Sequence, residues 1–470
     1  MVASCVPYNP RMTTTTPSID QLSSYNPSTG EIVGSVPITP TDQVDSVIAQ
    51  ARKAAPAWAA MSAQERADML KPAGEKLVER AEELGRILSL EQGKPLAEGI
   101  GEVSGCGSRL SEEVDEIVQA MIPDELEDEG VKTMLYYDPF GVCAAITPWN
   151  FPILMPHWTI LPALVAGNTV VLKPSEQTPL IADEYVKVLN EVLPEGVLQI
   201  VHGEDDQGKA LVAGDVDMIA FTGSKTAGQH IMAAAAPGLK RLILELGSKD
   251  PCIVLEGADL EKAAGFAARN SFRNCGQVCV STERIYVQES IKDAFMDKLI
   301  EESKAFKIGD CLDEEANIGP MVMAEQKAHV LAQVEDAKAK GAKVVLGGKP
   351  HGGNFVEPTI LDNLNHNMDI MTVETFGPIA CVATVQDADE AVELANDTEY
   401  GLGAVIFGED RLARKIGRRL TAGMVGVNRS MGGASGSPWI GARKSGIGYH
   451  SGPLGHRQFC QLRVFSTVEE

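Results

Sequence analysis

From residue 140 onward, short apolar, β-branched runs alternate with stretches of helical character. This alternation restricts the fold more than any other feature of the chain. The runs are 141–146 (GVCAAI), 169–172 (TVVL), 197–201 (VLQIV) and 217–221 (DMIAF), and between them lie 158–166, 178–193 and 206–213. Parallel strands need a long crossover, and a helix supplies it, so strand–helix–strand alternation predicts a parallel sheet with helices on both faces. Ligands of such sheets sit at the carboxyl ends of the strands. A second alternating series begins near residue 242 and continues to about 430, through 242–246 (LILEL), 252–255 (CIVL), 284–287 (RIYV), 343–346 (KVVL) and 379–384 (IACVAT). The expected fold class is α/β, and 470 residues suffice for two to three domains, each with its own core.

Before residue 140 the patterning differs. Residues 25–36 read as strands with a turn at Pro27 to Gly30. Thr39, Pro40 and Asp42 mark a helix start, followed by Val44, Val47, Ile48, Ala51 and Ala55 on one stripe at helical spacing. Ser62 and Glu65 form a capping box that opens a helical region to about Leu90, and helix propensity stays high to about Val118. Residues 122–130 (IPDELEDEG) are acidic and expected to be exposed. Residues 132–138 (KTMLYYD) and 460–468 (CQLRVFSTV) read as strands outside both series, either as edges of the main sheets or as a shared oligomerisation element.

Composition removes several classes of function. Lys plus Arg is 41 and Asp plus Glu is 65, a formal charge of −24, which repels phosphate backbones and anionic lipid. Neither nucleic acid nor membrane is an expected partner. Gly141 to Leu172 is almost free of charge, but Pro148, Pro152, Pro156 and Pro162 interrupt it, so a buried strand, loop and core helix fit better than a membrane span. The nine cysteines are scattered without a CxxC pair, and no His has a His partner three to five residues away, so no metal site is expected. Free thiols point to a reducing, cytoplasmic compartment. Residues 1–20 lack the apolar core of a secretory signal and are expected to be disordered.

Four segments could carry chemistry. In 274–279 (NCGQVC), Cys279 follows a glycine-containing turn; a cysteine nucleophile needs a lowered thiol pKa. Glu245 interrupts the apolar run 242–246, where burial would raise its pKa and make it a usable general base. In 146–152 (ITPWNFP), two prolines stiffen the loop around Asn150, whose amide could hold a developing oxyanion. In 221–228 (FTGSKTAG), Gly223 and Ser224 open a helix whose N-terminus could bind phosphate. Lys173 and Glu176 (KPSE) follow a strand end and could reach a ribose. Each signal alone has a structural explanation.

Taken together and in this order, ITPWNFP, KPSEQTP, FTGS, LELGSK, GQVC, ETFGP and WIGARKSGIG make the chain similar to the aldehyde dehydrogenase superfamily over residues 25–468. The resemblance implies Cys279 as nucleophile, Glu245 as the base activating the deacylating water, and Asn150 with the Cys279 backbone N–H as the oxyanion hole. It implies NAD as cofactor, with Lys173 and Glu176 at the adenosine ribose, Ser224 beside Gly223 at the pyrophosphate, Glu374 and Phe376 at the nicotinamide ribose, and Thr147, Trp149 and Leu246 completing the cleft. A carboxylate at Glu176 repels the 2′-phosphate of NADP, so NADP is the less expected cofactor. Where the family has a glycine pair after the base, this chain has Gly247-Ser248, and the serine is expected to add bulk beside the cofactor. Cys275, four residues before Cys279, raises the question of a reversible disulfide.

Arg273 is similar to an arginine of the succinic semialdehyde dehydrogenase branch that binds the substrate carboxylate. A second arginine of that branch would fall near Trp158 and is absent, and Trp158 would suit an apolar or aromatic aldehyde. The implied architecture is an NAD-binding Rossmann-like domain (21–121 and 140–247), a catalytic α/β domain (248–430) and a small β arm (122–139 and 455–470) through which dimers or tetramers assemble. The rival readings are a CoA-acylating relative, which commonly lacks the glutamate, and an idle protein on this fold, which would be expected to lose Cys279, Glu245 or Asn150.

Overall fold

The computed structural model describes residues 20–349 and 351–468. The expected disorder of residues 1–20 therefore falls, except for Asp20, outside the described residues. Two sheets carry the chain. In the first, the strands lie in the order 446–447, 241–245, 218–222, 142–146, 169–173, 198–200. The last five are mutually parallel, with Ile146 opposite both Lys173 and Phe221, and Thr222 opposite Glu245. Their side chains alternate between two cores. Cys143, Ala145, Val170, Leu172, Met218 and Ala220 face one helical layer. Val142, Ala144, Val171, Ile219 and Phe221 face the other. Burial on both faces is why these strands read as continuous apolar runs.

The second sheet has the order 343–346, 359–362, 379–385, 282–288, 250–254, 403–407, 424–427. It is parallel except at the 343–346 edge. One sequence expectation is corrected here. The run at 242 does not begin the second series; Arg241–Glu245 closes the first sheet, pairing in parallel with Met218–Thr222. Its other neighbour is Gly446–Ile447, antiparallel, with Gly446 opposite Glu245. The late WIGARKSGIG stretch thus returns to the first sheet.

The helices Val44–Ala59, Ala63–Glu79, Ala81–Gln92 and Leu96–Ala120 precede the first sheet. Ser62 caps as expected: its hydroxyl accepts from Glu65 N (3.2 Å) while Glu65 accepts from Ser62 N (2.7 Å). The helix after the Asn150 loop runs over Leu154–Ala166, longer than the expected 158–166, because Pro156 falls in the first turn, where a missing N–H costs little. No described helix is long and apolar enough to cross a membrane. The acidic 122–130 segment is exposed but not a loop: Asp124–Asp128 pairs with Val131–Pro139 around Glu129 and Gly130, both at positive φ, and Val131–Pro139 pairs in turn with Cys460–Val468.

Candidate active site

Glu245 is the last residue of its strand, so it stands at the carboxyl edge of the first sheet. It is buried, and neither carboxylate oxygen has a hydrogen bond of standard geometry. Burial pushes its pKa well up, and only the Trp439 side chain draws it back down. A carboxyl in that state holds its proton at low pH and is a strong base once ionised.

Cys279 follows a turn in which Asn274, Cys275 and Gly276 all have positive φ (48°, 57° and 69°). Side chains hold this strained turn. Asn274 Nδ2 donates to Asn150 O (3.1 Å) and Gln277 O (3.2 Å), and Gln277 Nε2 donates to Asn274 O (3.1 Å). Gly276 is required there: a Cβ would meet Gly377 O at 2.1 Å. Burial, and next the Glu245 charge, push the Cys279 thiol up to about 12, with Arg273 pulling the other way. This corrects the expectation of a lowered thiol pKa. Among the described residues no cation outweighs desolvation, Arg273 included, so the resting group is a thiol.

Asn150 is buried and its Nδ2 donates to Gln277 O at 3.1 Å, which leaves the second amide hydrogen free. Among the described residues nothing accepts the Cys279 backbone N–H. Asn150, Glu245 and Cys279 line one cleft of about 270 Å³, together with Trp149, Gly223, Ser224, Leu246, Glu374 and Phe376. Ser224 caps the helix Lys225–Ala235, accepting from Ala227 N at 3.2 Å. Phe376 has φ +50° and meets Trp149 edge to face at 5.6 Å. The buried Lys249–Glu283 pair (2.6 Å) sets this loop, with Glu283 accepting from Thr375 N and Phe376 N at 2.8 Å each. Glu374 accepts from Ser248 N (2.8 Å), and a Cβ on Gly247 would lie 2.2 Å from its Oε2.

Ser248 does not crowd this cleft. Its hydroxyl turns to Asp250, behind the loop, and only Gly247 lines the cleft. Cys275 does not pair with Cys279 either. Its sulfur sits 3.5 Å from Met321 Sδ in the core of the second sheet, and both cysteines are free.

Thr147, Lys173 and Glu176 lie outside that cleft on the same sheet edge. Thr147 N donates to Lys173 O at 3.2 Å, and its Oγ1 is buried without a partner. Lys173 Nζ is 3.9 Å from Glu176. Lys173 ends a strand three places from Glu245 in the sheet order, a separation of about 14 Å at about 4.8 Å per strand. The donor set fits a dinucleotide: Lys173 and Glu176, able to hydrogen-bond a ribose, at one end, a helix N-terminus with Gly223 and Ser224 in the middle, and a thiol with a buried carboxylate at the other.

A second cavity of about 190 Å³ opens on Cys279 and Glu245 and is walled by Trp158, Arg273, Trp439 and His450. Trp158 packs against Trp439 (5.9 Å) and His450 (5.3 Å). Burial drives the His450 pKa down to about 3, so this imidazole is neutral. Arg273 is exposed and also lines an outer cavity of about 670 Å³, placing it at the mouth between the two. Arg443 and Lys444 stay outside, bound to Asn396 O and Glu399. Sequence reasoning missed Trp439, His450, Gln326 and His329. The last two stand three apart on the helix Ala324–Ala339, and that spacing was their one local signal.

The aldehyde dehydrogenase family model matches residues 14–465. The glutarate-semialdehyde dehydrogenase of Pseudomonas aeruginosa is 40% identical over 448 residues, covering 93% of this chain and 92% of its own. The NADP-dependent succinate-semialdehyde dehydrogenase of Escherichia coli is 39% identical with the same coverage. The crystal structure of succinate-semialdehyde dehydrogenase from Burkholderia pseudomallei superposes with a TM-score of 0.92 at 35% identity, over 96% of this chain and 95% of that one. A cysteine, a buried carboxylate and an amide gathered at the edge of a parallel sheet, with this likeness over nearly the whole length, place the chain in the aldehyde dehydrogenase family, as an oxidoreductase that uses NAD(P) to oxidise aldehydes.

Proposed function

We propose that the protein oxidises an aldehyde carrying a distal carboxylate, a semialdehyde, to the acid with NAD. The observation that carries this reading is the convergence of Cys279, Glu245 and Asn150 on one cleft, with Arg273 at the mouth of the adjoining cavity. The Cys279 thiol gives its proton to solvent as Sγ bonds to the aldehyde carbon; the C=O π bond breaks, and the oxygen, now anionic, faces the free Asn150 amide hydrogen and the Cys279 N–H. An NAD held in this cleft by Ser224, Glu374 and Phe376 would supply the hydride acceptor for that carbon, so that Cys279 would be left carrying the acyl group as a thioester. Glu245 takes a proton from water, whose oxygen bonds to the thioester carbon; the C–S bond breaks, the acid leaves and the thiol is restored. Glu245 favours hydrolysis over transfer to CoA.

Arg273 supports a carboxylate tail, since a guanidinium matches a carboxylate with two parallel hydrogen bonds. All three proteins compared above are semialdehyde dehydrogenases by name. The wall of Trp158, Trp439 and His450 favours a second reading, an uncharged or aromatic aldehyde. NAD is favoured over NADP because Lys173 lies in the field of three acids, Glu176 foremost, then Asp205 and Glu204. One such charge about 4 Å from a 2′-phosphate costs about 1–4 kcal/mol. The first sheet with its helices (21–121 and 140–247) would hold the nucleotide, the second (248–430) would supply the nucleophile, and the arm (122–139 and 455–470) would join copies into dimers or tetramers. The eight described cysteines are free, which fits the cytoplasm.

The test is initial-rate NADH formation with succinic and glutaric semialdehydes, short aliphatic aldehydes and benzaldehyde, using Cys279→Ala as control. Preference for the semialdehydes, lost in Arg273→Ala, supports the first reading. Preference for benzaldehyde, indifferent to Arg273, moves the assignment to the second. A KM for NADP below that for NAD refutes the cofactor choice.

A further inference from the structure

The Asn150 amide can stabilise an oxyanion only if its backbone is fixed, and the structure spends an unusual group on fixing it. Lys94, directly after the left-handed Gly93 that ends the helix Ala81–Gln92, is buried, with a side chain 1% exposed. Its Nζ donates to Asn150 O at 2.9 Å and to Glu102 Oε2 at 2.7 Å, and sits 4.2 Å from the Phe151 ring centroid. Glu102, on the helix Leu96–Ala120, is 5% exposed in its side chain. Its other oxygen accepts from Ile153 N (3.0 Å) and Leu154 N (3.1 Å). The buried pair therefore grips the loop on both sides of the amide: the Asn150 carbonyl, the Phe151 ring and the first turn of the next helix.

A buried ion pair adds little to stability compared with apolar side chains of the same size, and its best-attested use is to fix geometry. The Lys94–Glu102 pair is fully bonded, and its bonds end on the backbone of one catalytic loop. The same carbonyl, Asn150 O, also accepts from Asn274 on the nucleophile loop. The helical layer, the oxyanion loop and the nucleophile turn thus meet at a single atom.

We propose that Lys94 and Glu102 are positioning residues for the reaction, setting the Asn150 amide against Cys279 without touching substrate themselves. This rests on the reading of Asn150 as the oxyanion donor. Displacing a catalytic group by about 1 Å can cost about a hundredfold in rate, and losing an oxyanion donor outright about 100- to 1000-fold.

The test is a double-mutant cycle between the pair and Asn150 in the full chain. Lys94→Met with Glu102→Leu removes both charges of the pair together, and Glu98, whose carboxylate also lies in the field of Lys94, keeps that of Arg273. The expected result is a fall in kcat of about 10- to 100-fold. The aldehyde KM, the NAD Kd and the rate of Cys279 alkylation by iodoacetamide should each change by less than about threefold, since none of them uses the amide. In an Asn150→Ala background the same pair of substitutions should change kcat by less than about threefold. An undiminished kcat in the pair variant overturns the proposal, as does a loss of the same size on top of Asn150→Ala. If the pair variant does not fold, the isosteric Glu102→Gln is carried through the same cycle and judged by the same non-additivity. Full activity in Asn150→Ala alone would instead remove the underlying reading of Asn150.

Discussion

Glu245 is buried without a proper hydrogen bond, and its raised pKa gives the deacylation step a definite pH dependence. Only the ionised carboxylate can take a proton from water. Thioester hydrolysis is therefore expected to be slow at low pH and to accelerate as pH rises through the raised value, above the ordinary carboxylate range. Glu245→Gln should retain one burst of NADH per site and then lose steady turnover by about 100- to 10,000-fold. Stopped-flow absorbance reads both phases; unimpaired turnover would show that another group is the base. The resting thiol behaves in parallel. With Cys279 pushed up to about 12, its alkylation by iodoacetamide should keep rising with pH across the range 7–9 instead of levelling off. Glu245, Cys279 and Asn150 stood out as an acid among leucines, a thiol after a glycine turn and an amide between prolines, but each alone had a structural explanation, and only their order among the other motifs implied the roles proposed above. Trp439 and His450 were not. They reach the cavity only because Gly446 pairs with Glu245, and Trp439 with His450, contacts that no local pattern announces. Ser248 misled for the same reason, since its partner Asp250 decides which way the hydroxyl points.

At the scale of elements, the alternating runs were readable because both faces of each strand are buried, and the register then follows from the crossovers. What joins one element to another was less readable. Glu91, at the end of the helix Ala81–Gln92, is buried and accepts from Leu180 N (2.9 Å) and Ile181 N (2.8 Å), capping the helix Pro179–Asn190 from a distance of 90 residues. A sequence scan finds a capping box such as Ser62 with Glu65, three apart, but not a cap supplied by another helix. Burial pushes the Glu91 pKa up to about 7 despite those two bonds. The folded form thus binds a proton that the unfolded chain, with an ordinary carboxylate near 4.3, has already lost. The associated stability is fully present below about pH 4.3 and is lost as pH rises through about 7. Stability should therefore fall from about pH 4.3 to about pH 7, by at most about 1.4 kcal/mol per pH unit for one proton, and level off above that. Glu91→Gln should lower stability at acid pH, by leaving an N–H unpaired at about 1–3 kcal/mol, and flatten that slope, so that its deficit shrinks as pH rises towards about 7. Urea unfolding at several pH values measures both, and an unchanged slope would mean that Glu91 is ionised in the folded protein.

At the scale of the whole molecule, the three-stranded sheet of 124–128, 131–139 and 460–468 is the arm proposed to join copies. Cys460–Val468 pairs with Val131–Pro139 through nine residues, and Asp124–Asp128 flanks the other side. Arg457 Nε ties the chain just before this strand to Ala120 O at the end of a long helix. Among the described residues the strand Cys460–Val468 has no neighbour on its outer edge, and it exposes Leu462 (49%), Val464 (64%) and Val468 (77%) on one side with Phe465 (49%) on the other. Of the described residues in this sheet, only Cys460 and Tyr137 join the core of the first large sheet. A sheet so little covered is marginal in water, and a free apolar edge pairs readily with another chain. The composition of 460–468 showed a strand outside both series; it could not show that both of its sides are uncovered, because that depends on where the two large sheets end. The expected occupant is the arm or sheet of a second copy. Leu462→Lys with Val464→Lys replaces two side chains on one side, each contributing about 1.5–3 kcal/mol when buried, so association should weaken by at least about a hundredfold. Sedimentation velocity is expected to show wild-type dimers or tetramers and a variant shifted to monomer. The arm lines neither the cleft nor the cavity at Cys279, so the monomer should keep a reactive thiol. A wild-type protein that sediments as a monomer would show that these apolar side chains are left in water, and would remove the assembly role from the arm.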